Sequence, residues 1–104
     1  MYTKKYGLHG KLVAVEGKGE DLLNILLEAS NLMKSAEGCR LYSVGINPDN
    51  PNEIWITEIW DSRQAHDDSL NLPGVRELIG QAIPILASNP EIGPEWDIIG
   101  GAGL

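Results

Sequence analysis

The chain has a single cysteine, Cys39, among its 104 residues. A lone thiol excludes an intramolecular disulfide and any zinc knuckle built from thiolates, and it fits a reducing compartment, so a cytoplasmic location is expected. Cations are also scarce: 8 Lys and Arg stand against 15 Asp and Glu, for a formal net charge of −7, and only Lys4 and Lys5 are adjacent. Nucleic acid and anionic membranes are bound chiefly through clustered cations, so neither is an expected partner. No apolar run approaches the roughly 20 residues that span a bilayer. The basic first residues, Met1 to Tyr6, lead into a Gly-broken alternation rather than an apolar secretion segment. Phosphate-cradling loops are missing too, since Gly17 and Gly19 lack a further glycine or a Lys-Ser/Thr pair. The two histidines, His9 and His66, have no spacing that suits a two-His, one-carboxylate iron site, and no Ser-His-acid motif is present. No metal, flavin or haem is therefore expected, and the cofactor expectation is none.

What is present is a well-patterned apolar fraction, 42% of the residues with no composition shift, as suits one domain over 1–104. Its core is expected over about 6–99, with a flexible Gly-rich tail at 100–104. Residues 6–15 alternate as a strand, with Leu8, Gly10, Leu12 and Ala14 on one face and His9, Lys11, Val13 and Val15 on the other. From Glu20, apolar residues at helical spacing run to Ala36, and Gly38 stands where a left-handed C-cap belongs. Residues 39–46 read as a second strand, 47–52 as a turn, and 53–60 as a third strand with bulky side chains on both faces. Asp61 is expected to cap the next helix, with Gln64 closing a capping box. That helix ends before Pro73. Another runs from about Gly74 until Pro84 breaks it, and 95–99 forms a short last strand.

The order β-α-β-β-α-β, with its second crossover split, predicts an α+β, ferredoxin-like antiparallel sheet with helices on one face. The other face is then bare while strand three is apolar on both sides. A second copy of the chain is the simplest cover, so a homodimer, a dimeric α+β barrel, is expected.

The segment Glu58-Ile59-Trp60-Asp61-Ser62, the run from Ala65 through Val75, and Ile79, Ala82 and Pro84 resemble the antibiotic biosynthesis monooxygenase family. The similarity is greatest to its quinol monooxygenase branch, and Glu37-Gly38-Cys39, Tyr42 and the Pro-Asp-Asn-Pro turn fall in the matching order. The resemblance implies a sheet-packed dimer with a pocket between sheet and helices in each subunit. It also implies oxidation of a small electron-rich aromatic, such as a quinol, by molecular oxygen without metal or flavin. Other relatives degrade haem or have no known reaction. In this chain Ser69 and Gly74 stand where relatives carry histidines, and Gly10 or Leu12 stands where the haem-degrading branch has its asparagine.

His66 is the candidate catalytic residue, because imidazole exchanges protons near neutrality; beside Asp67 and Asp68 it reads equally as a solvated helix histidine. Trp60 is the candidate wall for a flat substrate, although plain core packing also accounts for it. Tyr42 and Arg76 could orient a phenolate or carboxylate, and Ser69, at a position where relatives carry a histidine, is a further candidate for substrate binding. Glu58, an acid inward on a buried strand, must be paired or hydrogen-bonded and serves either a reaction or a subunit interface. Three functional readings follow. One is a cofactor-independent monooxygenase, the second is a non-catalytic small-molecule-binding or stress-associated module, and the third is a haem-degrading relative.

Overall fold

The computed structural model describes residues 3–104, so the Met1 and Tyr2 end of the expected domain lies outside the described residues. The elements are β1 (Lys5–Val13), α1 (Gly19–Met33), β2 (Cys39–Asn47), β3 (Asn50–Trp60), α2 (Arg63–Ser69), α3 (Val75–Ala82), a 3-10 turn (Ile83–Ile85), β4 (Glu91–Ile92) and β5 (Trp96–Ile98). All strand pairs are antiparallel, in the order β2-β3-β1 with β4 and β5 both on the outer edge of β1. The α+β, ferredoxin-like expectation holds.

The alternation read from the sequence sorts the sheet into two faces. Across β1, β3 and β2 the registered pairs Leu8–Glu58, Gly10–Ile56, Leu12–Ile54 and Tyr42–Glu58 point one way. On that side Ile54 and Ile56 pack with Leu22 and Leu26 of α1 and Ala82 of α3, while Trp60 packs with Met33 and Val75. The opposite parity places His9, Lys11, Leu41, Trp55, Thr57, Ile59 and Trp96 on the other face, which no helix covers.

Local chemistry moved several boundaries. α1 ends at Met33, three residues before Ala36, and the chain then turns through Gly38 at φ 82°. A side chain there would be strained and its Cβ would lie 2.8 Å from the Ala65 Cβ, so this glycine lets α2 dock close to the α1–β2 corner. β3 begins at Asn50 rather than at 53, because Asn47 and Asn50 pair and leave Pro48-Asp49 as a tight turn. Asp61 does not cap α2. Ser62 does, its hydroxyl accepting from the Ala65 N–H at 3.1 Å, while the Asp61 carboxylate accepts two bonds from the Arg40 guanidinium and Gln64 donates to Asp68. The last strand expected at 95–99 is β5, and a further two-residue strand, β4, pairs with β1 just before it, so the sheet has five strands rather than four, with Gly93 and Pro94 separating the two.

After α3 the chain returns to the end of β1. The Val15 N–H donates to the Ile85 carbonyl and the Ala87 N–H to that of Val13, both at 2.8 Å. These bonds hold the 3-10 turn and Leu86 over the sheet, beside α3, and so build one wall of a cavity.

Candidate active site

Between α1, α3 and the inner sheet face lies a cavity of about 680 Å³. Its walls are mostly apolar, with Leu12, Leu26, Met33, Leu78 and Leu86 among them. Leu70, Ile79 and Ile83 line it yet stay exposed, so they mark its rim. The volume falls within the range of small-molecule pockets.

The titratable groups on this surface are Tyr42, Glu58 and His66. Tyr42 and Glu58 are cross-strand partners on β2 and β3, so strand register alone makes them neighbours. His66 arrives from α2, whose rotation turns Ala65, His66 and Ser69 inward and leaves Asp67 and Asp68 outward. Its Nε2 lies 3.9 Å from Glu58 Oε1 and its Nδ1 lies 3.0 Å from Asp67 Oδ1. Ser69, almost wholly buried, also lines the cavity, but its hydroxyl donates to the His66 carbonyl and is engaged in holding that turn of α2.

Trp60 is placed differently from the expected substrate wall. It has no solvent exposure and is not among the lining residues. It stands behind the site, donating its indole N–H to Glu58 Oε1 at 3.0 Å and meeting the His66 ring edge-on at 5.8 Å. Tyr6 flanks the same imidazole at 5.7 Å, and its hydroxyl donates to Glu95. Arg76 is also outside the cavity; it is exposed on α3 and donates to Asn71. Ser88 and Asn89, between the 3-10 turn and β4, add polar groups to the lining. No sequence signal separated them from ordinary solvated loop positions.

Burial raises the Glu58 carboxyl above the usual range, and the Trp60 N–H and the nearby imidazole offset part of that effect. The Tyr42 hydroxyl is pushed well above its ordinary value by burial first and by the Glu58 charge second. Tyr42 is therefore a neutral hydroxyl group, and Glu58 holds its proton more tightly than an exposed acid does. Two oxygen and nitrogen atoms 3.9 Å apart leave room for one hydroxyl oxygen within hydrogen-bond reach, about 2.8 Å, of both. Among the described residues, no three His, Cys, Asp or Glu side chains converge as a metal site would require.

A ferredoxin-like α+β subunit with a ligand-sized cavity between sheet and helices, and a His-carboxylate pair at its surface, is the class that fold and site define. Within it, the chain belongs to the antibiotic biosynthesis monooxygenase family, whose model matches residues 6–81. A Chloroflexus aurantiacus J-10-fl protein provisionally named an antibiotic biosynthesis monooxygenase is 36% identical, with a TM-score of 0.77 over 96% of each chain. A Deinococcus radiodurans protein with the same provisional name is 26% identical, with a TM-score of 0.79 over 92% of this chain and 94% of its own. A Pseudomonas aeruginosa protein at 16% identity and a TM-score of 0.84, covering 96% of this chain and 99% of its own, shares the fold. No curated protein matches the chain.

Proposed function

We propose that the chain is a cofactor-independent monooxygenase that oxidises a small electron-rich aromatic, such as a quinol, with molecular oxygen. The observation that carries this reading is the grouping of Tyr42, Glu58 and His66 on an otherwise apolar cavity. A flat aromatic fits apolar walls, and its hydroxyl fits the gap between Glu58 and His66. His66 takes the hydroxyl proton, and the deprotonated ring passes one electron to oxygen in a site that limits access by water. Recombination of the two radicals forms the C–O bond. Loss of water then yields a hydroxyquinone, so that one oxygen atom enters the product and the other leaves as water. The quinol supplies all the electrons, and no external reductant enters the balance. Trp60 and Ser69 act behind the surface by holding Glu58 and the His66 turn. We further assign the chain to a homodimer joined through its uncovered sheet face, and to the cytoplasm, where the free Cys39 thiol stays reduced.

Oxygen uptake across a panel of quinols, with the product weighed after reaction under ¹⁸O₂, tests the reading. One labelled atom per product is expected, and His66→Gln should lower kcat by roughly 10²-fold or more. Thermal shifts with quinols but no oxygen uptake would point instead to a binding module. Full activity in His66→Gln would remove His66 from the mechanism and leave Glu58 as the proton acceptor, with Tyr42 as a hydrogen-bonding hydroxyl.

A further inference from the structure

We propose that Asp67 is a positioning residue that holds His66 in the Nδ1-protonated tautomer and leaves the Nε2 lone pair directed at Glu58 and the cavity. The inference deepens the monooxygenase reading, since it assigns the nitrogen that accepts the substrate proton.

An uncharged imidazole carries one ring proton, and its position is set by the partners of the two nitrogens. Nδ1 lies 3.0 Å from Asp67 Oδ1, whereas Nε2 lies 3.9 Å from Glu58 Oε1. An ionised carboxylate offers lone pairs and no proton, so at 3.0 Å the imidazole must be the donor, through Nδ1–H. The Glu58 side cannot compete for the ring proton, because 3.9 Å is beyond a direct hydrogen bond and Glu58 Oε1 already accepts from the Trp60 indole. Glu58 therefore leaves Nε2 free.

The surroundings hold the arrangement. Asp67 Oδ2 is reached by Arg63 Nε, one turn earlier on α2, at 3.9 Å, and Arg63 also reaches Glu95 at 3.4 Å. Glu95 accepts from Tyr6, whose ring flanks His66, as does the edge-on Trp60. The ring is thus packed by two aromatics, while the carboxylate that orients it stands half exposed outside the cavity, with side-chain exposures of 18% for His66 and 50% for Asp67. When Nε2 accepts the substrate proton the ring becomes an imidazolium, and the adjacent carboxylate stabilises that charge.

The test needs no substrate. Long-range ¹H–¹⁵N spectra distinguish the two neutral tautomers, and the chain has only two histidines, so a His9→Gln variant assigns the signals. Wild-type protein, at a pH where the ring is neutral, is expected to show His66 predominantly protonated at Nδ1. Asp67→Ala should move the population toward Nε2–H. A wild-type ring protonated mainly at Nε2, or an unchanged population in Asp67→Ala, would overturn the assignment. If the tautomer shifts as expected while His66→Gln remains fully active with a quinol, the orienting role of Asp67 stands and the reading of His66 as the base fails.

Discussion

Glu58 is the residue on which site and stability meet. It is a carboxyl on the inner face of a central strand, faced by Tyr42 and Cys39 from β2, by Leu8 from β1 and by His66 from α2. Burial raises its folded-state pKa above the ordinary 4.5. The native state therefore binds this proton more tightly than the unfolded chain does, and stability due to Glu58 is fully present below about pH 4.5 and is lost as pH rises through the folded value. Asp61 and Glu53, whose carboxyls are held below the usual range by Arg40 and by Asn47, act in the opposite sense at lower pH and do not mask this window. Glu58→Gln keeps an acceptor for Trp60 but cannot ionise. Melting temperatures measured from pH 4 upward should fall in the wild type relative to Glu58→Gln as pH rises above 4.5, and parallel curves would show that Glu58 titrates as an exposed acid does. Strand alternation alone made this acid legible as inward. It did not separate Glu58 from Trp60, which shares its parity. The separation is one of position along β3: two residues on, the side chain meets Met33 and Val75 rather than open cavity.

At the scale of elements, two neighbouring cap-forming residues competed for one helix start, and a distant partner decided between them. Asp61 accepts from Arg40 at 2.7 and 3.0 Å and lies 3.7 Å from Lys5, so its carboxylate is drawn toward the β1 and β2 side. Ser62, at φ −157° and ψ 164°, is left with the cap. Ser62→Ala should cost about 1 kcal/mol in denaturant unfolding, the usual worth of such a cap, and Asp61→Asn less. The reverse order would return the cap to Asp61. The same limit accounts for the other shifted boundaries. Periodicity named α1, α3 and the first three strands because each buries a continuous apolar stripe. The α1 end, the extra edge strand β4 and the polar lining by Ser88 and Asn89 depend on residues far away in sequence, so no local pattern encoded them. His66 was legible as a residue type, but its inward rotation depended on Ser62 setting the start of α2 and Gly38 allowing its approach.

For the whole molecule, the uncovered sheet face is the feature left without a partner. Leu41 and Ile59 are registered neighbours there, Trp55 is stacked by His9 at 4.8 Å, and Trp96 is 53% exposed. Apolar surface left in water forgoes about 25 cal/mol per Å², so a face of this composition is a strong driver of self-association. Charge does not forbid it. Each copy carries a net −7, but on this face Lys11 pairs with Glu91 at 2.9 Å and lies 3.8 Å from Glu53, so two such faces meet without a local excess of one sign. The residual repulsion between acidic subunits is long-range, and salt screens it. Light scattering at micromolar concentration should accordingly find about twice 11.3 kDa, with the dimer strengthened rather than weakened by added salt. Ile59→Lys puts a charge in the middle of the proposed interface while leaving the inner face of β3 untouched, and should give a folded monomer or a much weaker dimer. Ile83→Lys, at the exposed cavity rim on the helix side, should leave association intact. A stable 11.3 kDa wild type would refute the dimer, and a dimer lost in Ile83→Lys but kept in Ile59→Lys would move the interface to the helices and across the cavity mouth.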